Sequence, residues 1–241
     1  IVSKWGRARM FLPFTRGAPG EVGPGLGLLI ANEIAKAHYY GVTFDSGLKA
    51  EIAPADHAAA LQFTFPDDNA NIIFDNVTND GGLTIDAATN SFSGYSDVRA
   101  GSDGATRMFV YGTLDKPVTA GGMLPGGGGA KVTGYVKVAA GASRSVTVRM
   151  ATSLISLDQA RKNLVMEIPA KTSFDQVKAS AQDAWDKVLG RVEVEGASAD
   201  QLTTLYSNMY RLYLYPNSAF ENTGTAAKPR YQYASPVQTP G

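Results

Sequence analysis

Hydrophobic and polar positions change their period part-way along this chain. From His38 to about Ile155 they alternate in short runs. YYGVTF and LKAEIAP flank the turn tripeptide Asp45-Ser46-Gly47 and predict a hairpin. In AALQFTFP, Leu61, Phe63 and Phe65 alternate with Gln62 and Thr64, which puts three apolar side chains on one face of a strand that Pro66 ends. NIIFDNV, GLTIDAA, SFSGYSDV, TRMFVYGTL, AKVTGYVKVA and SRSVTVRMATSLI continue the series, separated by Gly, Asn and Asp and by no helical pattern. Strands in that succession predict antiparallel sheets packed as a sandwich. The stretch from Gly121 to Ala130, GGMLPGGGGA, predicts a flexible connection between two of them.

At Ser156 the period becomes helical. Ser156 and Gln159 form an S-x-x-Q capping box that opens SLDQARKNLVMEI, and Pro169 stops it. Thr172 or Ser173 caps a longer helix with Phe174, Val177, Ala181, Ala184, Trp185 and Val188 on one face and Gly190 at its end. RVEVEG predicts a short strand. A third helix then runs from Ser198 to Pro216, with Gln201 completing its box and Leu202, Leu205, Tyr206, Met209, Leu212 and Tyr213 making one wide apolar face. That face needs a partner surface, and no helical period follows, so the chain is expected to be cut short of the domain this helix opens. NSAFENTGTAAKPRYQYASPVQTPG, residues 217–241, predicts a long polar loop, functional or disordered.

The fold class expected is therefore mainly β: an antiparallel β-sandwich over residues 1–155, linker helices over 156–196, and over 197–241 the start of a truncated helical domain. Within the first 37 residues, Gly/Pro-rich and irregular, Met10 to Phe14 predicts a strand and Leu26 to Ile34 a short strand or helix start. The G-x-G-x-G from Gly23 to Gly27 has the look of a phosphate loop. Proline interrupts it and β-patterned sequence follows, so it predicts only a loop.

Composition narrows the function classes. An apolar share of 44% over 241 residues is ample for a core. Lys+Arg and Asp+Glu balance at 22 each, with no basic run, which argues against nucleic acid as a partner. No apolar run approaches the roughly 18 to 20 residues that cross a bilayer, so no membrane span is expected. Cysteine is absent, which removes disulfides, thiolate nucleophiles and zinc-thiolate sites. The chain opens on Ile1 without a signal pattern, so processing or trimming is expected to have removed what came first.

Candidate chemistry is sparse. His38 and His57 are the only histidines, which excludes a His-rich metal cluster, and Asp56-His57 suits a structural turn. Asp67-Asp68 follows Pro66 as turn chemistry does, and adjacent residues cannot flank a sugar from two sides. Trp185 belongs to a helix face and predicts packing. Trp5, among Arg7 and Arg9, is a candidate sugar platform or a packed residue of an irregular segment.

Four stretches converge on a known family: YYGVTFDSGLKAEIAPADHAAALQFTFP, SLISLDQARKNLVMEIP, FDQVKASAQDAWDKVLGRVEVEG, and ADQLTTLYSNMYRLYLYPNSAFENTGTAAKPRYQYASPV. Together, from Tyr39 to Val237, they resemble the family 92 glycoside hydrolases, calcium-dependent exo-α-mannosidases, and in wording their actinobacterial members. The resemblance implies an N-terminal β-sandwich, a helical linker, and an (α/α)6 barrel whose first helix is the one from Ser198. It implies removal of terminal α-linked mannose, often α-1,2, with inversion, and Ca2+ that helps bind and distort the sugar. Implied partners are mannose-containing glycans and the remainder of the barrel, and the implied location is secreted or on a bacterial cell surface.

The family's acid, base and calcium ligands, and its Trp-Asp-Thr motif, would fall beyond Gly241. Its early His/Gly-rich start and Ser-His-x-His stretch are not found from Ile1 to Ala37. No catalytic or metal residue is therefore assigned in this chain. Asn217, Glu221 and Tyr231, with Trp5, are the substrate-binding or cleft-positioning candidates, the other reading of the first three being that they anchor a loop. Two further readings stand beside a cleft-shaping part of a mannosidase: a non-catalytic carbohydrate-binding β-sandwich module, and a scaffold or adhesion domain. The apolar face of the third helix tells against both, since a free-standing module should not expose such a stripe.

Overall fold

A computed structural model describes residues 30–75, 81–97, 107–124, 133–214 and 220–235. The Met10 to Phe14 strand, the Gly23 to Gly27 loop, Trp5 and Asn217 lie outside the described residues. The first eleven strands are β1 (Ile30–Lys36), β2 (Tyr39–Phe44), β3 (Lys49–Pro54), β4 (Ala58–Thr64), β5 (Ala70–Asp75), β6 (Gly81–Asp86), β7 (Ser91–Ser96), β8 (Met108–Leu114), β9 (Val118–Met123), β10 (Thr133–Val138) and β11 (Ser145–Ser153). They pair antiparallel into an eight-stranded sheet, order β1-β2-β3-β4-β11-β8-β7-β6, and a three-stranded sheet, order β5-β10-β9. The predicted β2–β3 hairpin is present, and Gly47 supplies its turn with φ +85°, a conformation open to glycine.

The large sheet buries both faces, and the alternation along its strands says which goes where. On β11, Val146 and Val148 face the small sheet, whereas Ala151 and Ser153 face the other way. On β4 and just beyond it, Leu61, Phe63 and Phe65 pack toward the small sheet as their spacing predicts, while Ala58 and Ala60 face the opposite side. Between the sheets lies a core of Phe65, Ile72, Phe92, Leu114, Val136, Val138, Val146 and Val148, with the Phe74 and Phe92 rings 4.3 Å apart. That is a β-sandwich.

Helices cover the second face. α1 (Leu157–Glu167) lies on β8 and β11, α2 (Phe174–Leu189) on β3 and β4, and α3 (Ala199–Leu212) follows. Leu164, Ile168, Phe174 and Val177 meet Tyr39, Ala53, Ala58, Ala60 and Ala151. Alanines on the sheet let the helices approach closely. The first half of α2 is buried in this way; Trp185, further on, stacks against Tyr210 of α3 with ring centroids 4.8 Å apart. α3 itself buries no residue, and Leu212 is 75% exposed.

Several expectations are corrected. Ser173 and Ser198 make full capping boxes with Gln176 and Gln201, but Ser156 makes half of one: its hydroxyl accepts from Gln159 N at 3.1 Å, while the Gln159 side chain goes elsewhere. Gly190 ends α2 with φ −70°, so it serves as a close-packed cap residue and not as a left-handed one. RVEVEG is a turn and extended segment, not a strand, with Val192 and Val194 exposed and no sheet edge among the described residues pairing with it. The Gly121 to Ala130 connection starts later than expected, because Gly121, Gly122 and Met123 are held in β9 by the β10 ladder. The loop predicted after Pro216 contains two strands, β12 (Phe220–Asn222) and β13 (Tyr231–Tyr233).

Candidate functional site

The polar centre of the helical side is built on α1. Gln159, Lys162 and Asn163 share one face of that helix by their i, i+3, i+4 spacing, where an amphipathic pattern would place apolar side chains. Gln159 is 6% and Asn163 1% exposed. Burying amides this deeply is tolerable only if their hydrogen bonds are made. Gln159 Nε2 donates to Asn163 Oδ1 at 2.7 Å and to the carbonyl of Asn222 at 3.0 Å. Asn163 Nδ2 donates to the carbonyl of Thr152 at 2.9 Å and to Glu221 Oε2 at 2.8 Å. The Lys162 ammonium donates to the carbonyl of Thr223.

Glu221 completes this network. It is 2% exposed, and its second oxygen accepts from the backbone N–H of Leu154, just past β11, at 2.7 Å. Three successive hairpin residues, 221 to 223, are thus bound to α1 or to the end of β11. The register pairs Phe220 with Tyr233, Glu221 with Gln232 and Asn222 with Tyr231. Strand alternation therefore turns Phe220, Tyr231 and Tyr233 to the side opposite Glu221, and they are 50%, 61% and 68% exposed. The Phe220 and Tyr231 rings meet edge to face with centroids 5.1 Å apart.

The loop joining β12 to β13 is closed by its own bonds. Asn222 Oδ1 accepts from Gly224 N at 2.9 Å and Arg230 N at 3.0 Å, and Thr223 N donates to the Arg230 carbonyl at 2.7 Å. Thr225 and Lys228 clasp each other, Thr225 N to the Lys228 carbonyl and Lys228 N to Thr225 Oγ1, both at 3.0 Å. Gly224 leaves no space for a Cβ, which would run into the Lys228 carbonyl.

Of the sequence candidates, Tyr231 stands on an exposed aromatic face, whereas Glu221 is buried with both oxygens bound to protein donors. Gln159, Lys162 and Asn163 were missed; polar side chains at apolar-phase positions of α1 were the available signal.

At the other end of α1, Glu167 Oε2 accepts from the backbone N–H groups of His57 and Ala58 at 2.7 and 2.9 Å, and Oε1 lies 2.9 Å from His57 Nδ1. His57 Nε2 is buried and unpartnered among the described residues. Under α2, Tyr39 donates its hydroxyl to Glu51 Oε1 at 2.7 Å, with the Lys178 ammonium 3.7 Å from its ring centre. Burial, then the Glu51 bond, pushes that hydroxyl up to about 12. Among the described residues no group of three or more His, Cys, Asp or Glu gathers.

Residues 25–153 match the glycosyl hydrolase family 92 N-terminal domain, and residues 159–240 match the glycosyl hydrolase family 92 catalytic domain. The chain belongs to glycosyl hydrolase family 92. The two matches meet at the network just described: Leu154 lies in the seam between them and Glu221 in the second. Among solved structures, a family 92 inverting mannosidase of Bacteroides thetaiotaomicron is 27% identical with a TM-score of 0.76 over 85% of this chain and 29% of its own. A family 92 α-mannosidase of the same organism, in complex with mannoimidazole, is 22% identical with a TM-score of 0.67, over 84% and 30%. An uncharacterized secreted glycosidase of Arthroderma benhamiae is 23% identical over 222 residues, 76% of this chain and 28% of that protein. This chain thus spans under a third of the length of these relatives. No helix among the described residues is long and apolar enough to cross a membrane.

Proposed function

We propose that this chain is the N-terminal β-sandwich, helical linker and opening of the catalytic barrel of a secreted or cell-surface α-mannosidase that removes terminal α-linked mannose, α-1,2 linked, with inversion. The observation that carries the reading is that family 92 models for both the N-terminal and the catalytic domain match in succession on one chain. Likeness to an inverting mannosidase at 27% identity and the secreted description of the fungal relative support the chemistry and the location. The bacterial source is part of the proposal on the wording of the four stretches alone.

Inversion needs one carboxylic acid on the leaving oxygen and one carboxylate on a water at the opposite face of the ring, about 6.5 to 9.5 Å apart. Both, with the calcium ligands, are assigned to the remainder of the barrel, for which the exposed face of α3 is the docking surface. The share of this chain is the wall of the cleft. On the hairpin, Tyr231 with Phe220 and Tyr233 offers apolar ring faces of the kind that sugars stack on. Asn217 and Trp5 remain assigned to substrate contact by the same proposal.

The test is the full-length protein on α-1,2-mannobiose, followed by NMR of the first product formed. The expected outcome is release of β-mannose, abolished by EDTA and restored by Ca2+. Absence of mannose release, or α-mannose as first product, overturns the reading. Replacing Tyr231 by Ala is expected to raise KM by about tenfold, the scale of one lost ring contact. Activity that survives EDTA would remove calcium from the proposal and leave the glycosidase intact.

A further inference from the structure

We propose that Glu221 is a positioning residue: its buried carboxylate ties the first hairpin of the catalytic domain to the end of the N-terminal sandwich and so sets the shape of the substrate cleft. The inference rests on the α-mannosidase reading and specifies how the cleft wall is held.

The carboxylate lies at the seam between the two domains. One oxygen takes the N–H of Leu154, in the seam itself, and the other takes Asn163 Nδ2 from α1. Among the described residues no side-chain cation pairs with it; two neutral N–H donors hold it instead. A buried carboxylate held this way is costly to lose, because the Asn163 amide left behind is buried and the Leu154 N–H partly so. The restraint is directional as well. Glu221 and the carbonyls of Asn222 and Thr223 hold β12 and the residue after it to α1 and Leu154, while Phe220, Tyr231 and Tyr233 lie on the face opposite Glu221. The loop from Thr223 to Arg230 is already closed on itself by the bonds to Asn222. A pair of three-residue strands is marginal when left to itself, so both the closure of the hairpin and its orientation depend on Glu221 and its partners. Orientation of a wall matters to binding, since small misplacements of substrate contacts carry large rate penalties.

Variants of the full-length protein test this. In Glu221→Ala, amide exchange at Thr223, Thr225 and Arg230 is expected to rise by about tenfold or more, and kcat/KM on α-1,2-mannobiose to fall by about tenfold, mostly through KM. Glu221→Gln keeps the acceptor for Leu154 N and is expected to recover part of both effects. Asn163→Ala, which removes the other half of the tie, is expected to reproduce them. Glu167→Gln serves as the control: it loosens the far end of α1 and lowers Tm, with KM expected within about twofold of the native value. Unchanged exchange in the hairpin of Glu221→Ala overturns the proposal. So does faster exchange with kcat/KM held within twofold, or a KM effect as large in Glu167→Gln as in Glu221→Ala. If the native protein cleaves no α-mannoside, the mannosidase reading falls, and the exchange data still decide whether Glu221 orients the hairpin.

Discussion

The Tyr39 hydroxyl links burial to pH behaviour in one atom. In an unfolded chain tyrosine ionises near 10, and here it keeps its proton to about 12 because burial disfavours the phenolate and Glu51 accepts its hydrogen bond. The folded state therefore binds this proton more tightly than the unfolded state. Its stabilising contribution is whole below pH 10 and is lost as pH rises toward 12. Tyr39→Phe is expected to cost about 1 kcal/mol at neutral pH and to flatten the fall of stability between pH 10 and 12 in thermal unfolding scans. Nothing in YYGVTF marks the first tyrosine as the buried one, because its partners Glu51 and Lys178 come from a neighbouring strand and a helix far along the chain. For Glu221 the sequence left open cleft positioning or the anchoring of a loop, and only the fold brings Leu154 and Asn163 to it.

Elements were more legible than residues. Strand alternation in Leu61, Phe63 and Phe65, the Gly47 turn and the three Ser caps were all readable because each depends on neighbours a few residues away. The same motif nevertheless does different work in two helices. In α2, Gln176 returns to the N–H of Ser173 at 2.8 Å; in α1, Gln159 turns inward to Asn163 and Asn222. Gln176→Ala is therefore expected to cost about 1 kcal/mol or less, the scale of a lost cap bond. Gln159→Ala strands a buried Asn163 oxygen and is expected to cost more, about 1 to 3 kcal/mol. Urea unfolding of the two variants side by side measures the difference. RVEVEG and the hairpin after Pro216 went the other way for one reason: a strand exists only if an edge accepts its ladder. Glu193 and its neighbours meet none, whereas Phe220 meets Tyr233.

At the scale of the molecule, two well-filled layers contrast with one open side. The sandwich core is tight: Phe92 is 4% exposed, stacks on Phe74, and has Gly112 beneath its ring edge where any side chain would collide. Phe92→Ala is expected to cost about 3 to 5 kcal/mol in thermal or urea unfolding, the range for a buried aromatic removed from a core that cannot collapse. By contrast, Leu212, Tyr213, Leu214, Phe220, Tyr231 and Tyr233 are all exposed. Produced by itself, this stretch of 241 residues is expected to self-associate through them, which size-exclusion chromatography at rising concentration checks; a monodisperse monomer would count against it.

By itself the sequence determined the period, and with it the class of each element: alternating runs before Ser156, amphipathic helices after it, and the family to which their wording belongs. Those are properties of neighbours along the chain, set by backbone geometry and by side-chain repeat. Only the tertiary structure decided which sheet face the helices cover, that Gln159 abandons its cap, and that Glu221 is buried against Leu154 and Asn163. These depend on contacts between residues more than fifty positions apart, as in Asn163 with Glu221 and His57 with Glu167. No local pattern encodes such a pairing; it is settled by which buried polar groups find each other once the apolar faces have packed.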